Sequence, residues 1–131
     1  NNDLIDTIQT GSNIRFNFEI LAKKETYFDL GFSLHNEEDQ MLSNLYMSFQ
    51  HIRKKISPGT HKISCLVKDF HFNTRTLLVA GLIKVNNEIA DWPNTFLGKY
   101  SVVMGNYYVK NGYSSMDNDL QVLFKGDWTI D

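Results

Sequence analysis

The chain has 131 residues, room for one domain with a true core and too few for two of ordinary size. Hydrophobic residues make up 42% and aromatics 13%, which excludes a disordered chain. A formal net charge of −2 with mixed signs lacks the basic face that a nucleic-acid binder needs.

Leu4, Ile5 and Ile8 suggest a short first strand ending at Gly11-Ser12. The stretch Ile14 to His35 is the organising one, read as two strands joined by a charged turn at Lys23, Lys24, Glu25 and Thr26. In the first, Ile14, Phe16, Phe18 and Ile20 alternate with Arg15, Asn17 and Glu19; in the second, Phe28, Leu30, Phe32 and Leu34 alternate with Tyr27, Asp29, Gly31, Ser33 and His35. That period of two gives each strand one apolar and one wet face, and a one-residue slip would expose every Phe.

Asn36 to Gln40 is an acidic loop, Leu42 to Phe49 a strand, and His51 to Ser57 a basic, less regular segment. Pro58-Gly59 is a turn, after which His61, Ile63, Cys65 and Val67 alternate with Lys62, Ser64 and Lys68. Leu77 to Val85 is almost continuously apolar, as a central strand buried on both faces would be. Asn86-Asn87 reverses the chain into Glu88 to Trp92, and Pro93 breaks it. Phe96 to Met104 reads as a strand with Gly98 as a bulge, and Tyr107 to Ser115 as a hairpin turning at Asn111-Gly112. Asp117 to Asp119 is a loop, and Leu120, Val122 and Phe124 form a last strand. About nine or ten short strands at this spacing, with no helical period, predict an all-β chain. The expected fold is an antiparallel β-sandwich of jelly-roll or immunoglobulin-like type, filling residues 1–131 as a single domain.

Catalytic signatures are absent: there is no Gly-rich phosphate loop, G-x-S-x-G elbow, H-E-x-x-H or C-x-x-C. His35, His51, His61 and His71 have no short ligand spacing, and Asp69 and His71 share a strand face as many structural pairs do. Asp117-Asn118-Asp119 has oxygen donors for calcium but lacks the Gly and terminal Glu of an EF-hand loop. The expectation is therefore no enzyme, no metal and no cofactor. Cys65, the one cysteine, excludes an internal disulfide and reads as a small buried hydrophobe, mildly favouring a reducing compartment. No apolar run approaches the roughly 20 residues that span a bilayer, and no signal peptide opens the chain, so this piece is expected to be soluble. Its first residue, Asn1 in place of Met, predicts a fragment of a longer chain.

Sugar sites combine an aromatic platform with planar polar groups on a rigid surface. The strands' wet faces carry such a mixture, and Arg15, Asn17, Tyr27, Tyr46 and His61 on them, with Trp92 in a loop beside Pro93, are the candidate ligand-binding residues. The bland reading makes the tyrosines sheet surface and has Trp92 and Trp128 plug the ends of the sandwich. A protein-interaction or dimerisation sandwich, with Tyr107, Tyr108 and Tyr113 as its patch, is the alternative to a glycan module.

The order of features also resembles a known family. G-S-N-I-R-F-N-F-E-I from Gly11, Y-F-D-L-G-F-S-L-H-N from Tyr27, S-P-G-T-H-K-I-S-C-L-V from Ser57 and the closing L-F-K-G-D-W from Leu123 resemble the C-terminal domain of Wzt. Wzt is the ATPase subunit of ABC transporters that export O-antigen polysaccharides. Asn73 to Leu77 departs from the family, many of whose members open that strand with a Gly-Tyr pair. The resemblance implies a β-sandwich that recognises the modified non-reducing end of the finished polysaccharide. It also implies an upstream ATPase domain, a membrane-spanning transporter subunit, a homodimer and a cytoplasmic location at the inner membrane. No ligand-contacting residue transfers from it.

Overall fold

The computed structural model describes residues 7–86, 88–93, 95–103 and 121–130. In chain order the strands are β1 (Thr7–Gln9), β2 (Ile14–Ala22), β3 (Thr26–His35), β4 (Met41–Tyr46), β5 (Lys54–Ile56), β6 (Gly59–Val67), β7 (Thr76–Val85), β8 (Glu88–Asp91) and β9 (Gly98–Val103). They form a two-layer β-sandwich, and no α-helix occurs among the described residues. One layer is a seven-stranded sheet ordered β1-β9-β7-β3-β4, with β5 also pairing β3 and β8 pairing β7. The other is the β2–β6 pair, in register from Ile14↔Val67 to Ala22↔Gly59.

The charged turn at Lys23 to Glu25 therefore does not make a hairpin. It carries the chain from one layer to the other, and β2 and β3 meet face to face. The Phe32 ring lies 5.0 Å from Phe16 and 5.1 Å from Phe18. Two strands that each bear one apolar face bury both faces when opposed, whereas hairpin neighbours would show both on the same side and still need a cover. Phe16, Phe32, Leu34, Phe70, Leu77 and Val79 form the main core; Ile20, Phe28, Leu30 and Ile56 form a second cluster beside it.

Most pairings are antiparallel as expected, but β1 runs parallel to β9, with Ile8 opposite Val102. Strand β4 ends at Tyr46 instead of Phe49, giving way to a 3₁₀ turn over Met47–Gln50. The basic segment contains β5, too short to show a period, with Lys54 and Lys55 on a sheet-edge strand as edges commonly have. Strand β7 is central, yet only its inner face is sealed: Leu77 and Val79 are buried, while Leu78, Ala80 and Leu82 are half-buried. Gly98 starts β9 and lies against the Tyr100 ring without a bulge; the register shifts fall at Leu34/His35 and Ile83/Lys84. Asn86 makes the expected reversal with φ 54°. The hairpin over residues 107–115, the loop over 117–119 and Leu120 lie outside the described residues. Of the expected last strand, Val122 bridges Phe72 and Leu123 is fully buried.

Asn36 knots the loop between β3 and β4. Completely buried, it accepts from the amides of Glu38 (3.0 Å) and Gln40 (2.9 Å) and donates to the Gln40 side chain at 2.7 Å. Next to it, the Glu37 carboxylate accepts from the Thr74 hydroxyl (3.1 Å) and the Thr76 amide (2.8 Å), fastening the loop to the start of β7.

Truncating Phe32→Ala removes the ring that both layers share and should cost about 3–5 kcal/mol. The check is a lower urea midpoint at unchanged m value. Burial pushes the half-buried Cys65 thiol above its usual value of 9.0. The folded chain then holds this proton more tightly than the unfolded one, so stability is level below the unfolded value and falls as pH rises past it. The stability advantage of wild type over Cys65→Ala should narrow between about pH 8 and about pH 10 in urea titrations.

Candidate functional site

The site begins where β4 stops. Asp29, on the outer face of β3, captures Ser48: one carboxylate oxygen accepts from the Ser48 amide at 3.0 Å and the other from its hydroxyl at 2.6 Å. That capture bends the chain into the 3₁₀ turn, which ends at His51 in the left-handed region with φ 58°. The chain then drops to β5. Between the turn, β3 and the end of β7 it leaves a hollow of about 720 Å³, within the usual range for small-molecule sites.

Tyr27, Asp29, Ser48, His51, Arg53 and Lys84 line this hollow. Lys84 reaches it because β3 and β7 pair Asp29 with Lys84, a register pinned on the opposite face by Leu30↔Ile83 and Phe32↔Gly81. Rings hold the cations: the Arg53 guanidinium carbon sits 4.3 Å over the Tyr27 ring, and the Lys84 ammonium is 5.8 Å from the centre of Tyr46. Tyr46 itself lies flat on the sheet, because opposite it stands Gly31, where a Cβ would fall inside the ring. Phe49, on the same turn, meets Tyr46 edge-on at 5.0 Å and is 64% exposed; Tyr27 is 42% exposed. An exposed Phe49 ring on the turn and a Tyr27 ring partly covered by Arg53 thus stand beside a fixed set of polar groups.

The sequence candidates do not gather in one place. Tyr27 lines the hollow and Tyr46 adjoins it. Arg15 and Asn17 lie on the outer face of β2, with Arg15 donating to the Ser64 hydroxyl at 3.3 Å. They border a separate cleft of about 380 Å³ between the layers, with Leu97 and Tyr100. His61 is not on a wet face: it stands opposite buried Ile20, and its Nε2 lies 2.7 Å from the Ser57 carbonyl oxygen. Trp92 follows β8, is 64% exposed and borders neither cavity. In the sequence Ser48 and Phe49 read as the end of a strand, and His51 and Arg53 as part of a basic, less regular segment, so none of the four was a candidate. Lys84 did carry a signal, as the one charge inside the apolar run Leu77 to Val85.

Another constellation needs weighing. The Ser33 hydroxyl is 2.7 Å from His35 Nε2, and His35 Nδ1 is 3.0 Å from an Asp39 carboxylate oxygen. These are the distances of a nucleophilic triad, but the Nδ1–H direction does not fit a hydrogen bond to that carboxylate. Ser33 lies mid-strand, paired with Asn44 on one side and Ala80 on the other. The ladders on both sides occupy the backbone amides that an oxyanion hole would require. The Phe96 ring, 5.3 Å away, caps the imidazole edge-on. The chemistry supported there is structural, an anchor at the entry to the loop that Asn36 knots. Among the described residues, no three His, Cys, Asp or Glu side chains gather as a metal site would require.

No protein-family model matches the chain, and no curated protein matches it. Among solved structures it is similar to a crystal structure of the C-terminal domain of Wzt, with a TM-score of 0.69 over 95% of this chain and 74% of that one. Identity between the two is 14%. The resemblance first carried by strand punctuation therefore holds in three dimensions, and the chain has the fold of the Wzt C-terminal domain.

Proposed function

We propose that this chain is a non-catalytic carbohydrate-binding module that receives the modified non-reducing end of a polysaccharide of the O-antigen type. The observation that carries the reading is the hollow beside the 3₁₀ turn, where Tyr27 stands among Asp29, Ser48, His51, Arg53 and Lys84, with the exposed Phe49 ring on the turn that borders it. A ring offers its face to the apolar C–H side of a pyranose, and side chains fixed on a sheet meet hydroxyls with little loss of freedom. The Wzt-like fold supports this choice of ligand over a protein surface. In this reading residues 1–131 act as one unit of a longer, cytoplasmic polypeptide. An upstream ATPase domain and a membrane-spanning transporter subunit are its partners, and it pairs with a second copy. The module reads the finished end of the glycan and reports it to the export machinery without breaking a bond.

Affinity should be roughly micromolar to millimolar, as expected when modest area is buried against a polar ligand. Titration of the ¹⁵N-labelled domain with oligosaccharides, with and without terminal substituents, should move the amides of Tyr27, Ser48, His51 and Arg53 and leave the β2–β6 layer still. Tyr27→Ala and Phe49→Ala should each weaken binding by about 2- to 12-fold, the worth of one ring contact. Shifts centred on Arg15, Asn17 and Tyr100 would move the site to the interlayer cleft. Silence with every glycan, together with a stable dimer by light scattering, would replace this reading with that of a dimerisation domain.

A further inference from the structure

We infer that the hollow beside the 3₁₀ turn recognises a negatively charged substituent, a carboxylate or a phosphate, borne by the terminal sugar. The inference rests on the glycan reading above and adds to it the charge of the group that is read. Two permanent cations line the hollow, Arg53 and Lys84, against one carboxylate, Asp29. Asp29, both of whose oxygens accept from Ser48, offsets one of them and leaves a surplus of one positive charge. Among the described residues, the ion pairs are Lys55 with Glu25 at 3.4 Å and His35 with Asp39 at 3.0 Å. Among the described residues neither Arg53 nor Lys84 belongs to a pair, although the chain as a whole is acidic at −2. Lys55, also 5.7 Å from the Tyr27 ring, is the useful contrast: it has Glu25 to neutralise it.

The way Arg53 is held matters as much as its charge. Its guanidinium carbon sits 4.3 Å from the centre of the Tyr27 ring. A guanidinium carries its N–H groups in the plane of a fork, the arrangement that takes two oxygens of one carboxylate or phosphate side by side. Because the ring already fixes the long side chain, less rotamer freedom is lost on binding. Lys84, steadied near Tyr46, adds a point charge from the opposite wall, and His51 adds ring nitrogens beside it. Uncharged hydroxyls do not call for two unpaired cations; they are served equally well by amides and hydroxyls.

The test is an NMR titration of the intact domain with four probes: a neutral methyl hexoside, the matching uronate, the matching hexose 6-phosphate, and inorganic phosphate. Each is run at about 20 mM and about 200 mM NaCl, so that screening is varied across the site. One or both anionic sugars should bind about tenfold or more tightly than the neutral one, and the gap should shrink in the higher salt. Arg53→Gln and Lys84→Gln should each weaken the anionic sugars by more than they weaken the neutral one, and so remove most of that gap. Arg53→Lys, which keeps the charge and loses the fork, should retain part of it, and the dispersion of each variant's spectrum reports its folding. Preference between uronate and 6-phosphate identifies which anion is read. Equal affinity for neutral and anionic sugars overturns the charge assignment and leaves the glycan reading standing. Silence with all three sugars overturns both. Inorganic phosphate binding as tightly as the sugar phosphate, at the same amides, overturns a sugar-borne group in favour of a free anion.

Discussion

The contact on which the molecule depends is the Phe32 ring wedged against Phe16 and Phe18 across the two layers. It joins strands adjacent in sequence that never pair with each other, so it fixes the fold as two opposed sheets instead of one extended meander. Because Phe32 also sets the phase of β3, every second residue from Tyr27 to His35 must point away from the core. The outer face carrying Asp29, Gly31 and Ser33 follows from what the inner face has to bury.

From that phase the candidate site is built with few further parts. Asp29 emerges where β4 would have continued and turns the chain at Ser48. Gly31 emerges under Tyr46 and lets the ring lie down on the sheet. The pairing with β7 then brings Lys84 level with Asp29. Arg53 and His51 arrive because the turned chain must come back to reach β5. A single carboxylate-to-serine contact thus separates an ordinary sheet edge from a concave surface lined with rings and charge.

The strand content was legible in the sequence because a period of two is a local property. The limits of β2, β3 and β6 lie close to where alternation of apolar with polar residues placed them, and those of β7 close to the ends of its apolar run. Pairing partners were not legible, since alternation says which face is wet and nothing about which strand lies alongside. Hence β2 and β3 read as neighbours, and the parallel match of β1 with β9 left no trace. His61 was misplaced for a related reason. A polar residue in phase with Ile63 and Cys65 belongs on the core face, and its ring is accommodated there through the Ser57 carbonyl. The hollow draws on residues from Tyr27 to Lys84, which only the β3–β7 register brings together. Of its charged members, Lys84 alone stood out locally, as an ammonium interrupting an apolar run.

The closing segment bears on how the chain reaches this state. Leu123 is fully buried, its amide donates to the His71 carbonyl at 2.7 Å, and the buried Asn36 amide lies 3.5 Å from the Gln121 side chain, 85 positions further along. During synthesis, a ribosome that has just emitted β3 cannot yet supply the groups that finish the surroundings of Asn36. Sequence-distant closures of this kind slow folding, because chain entropy is spent before the contacts repay it. The nascent chain must therefore leave the buried loop around Asn36 unfinished until almost the whole of this stretch has been made, which makes a chaperone's transient shelter most valuable late in translation.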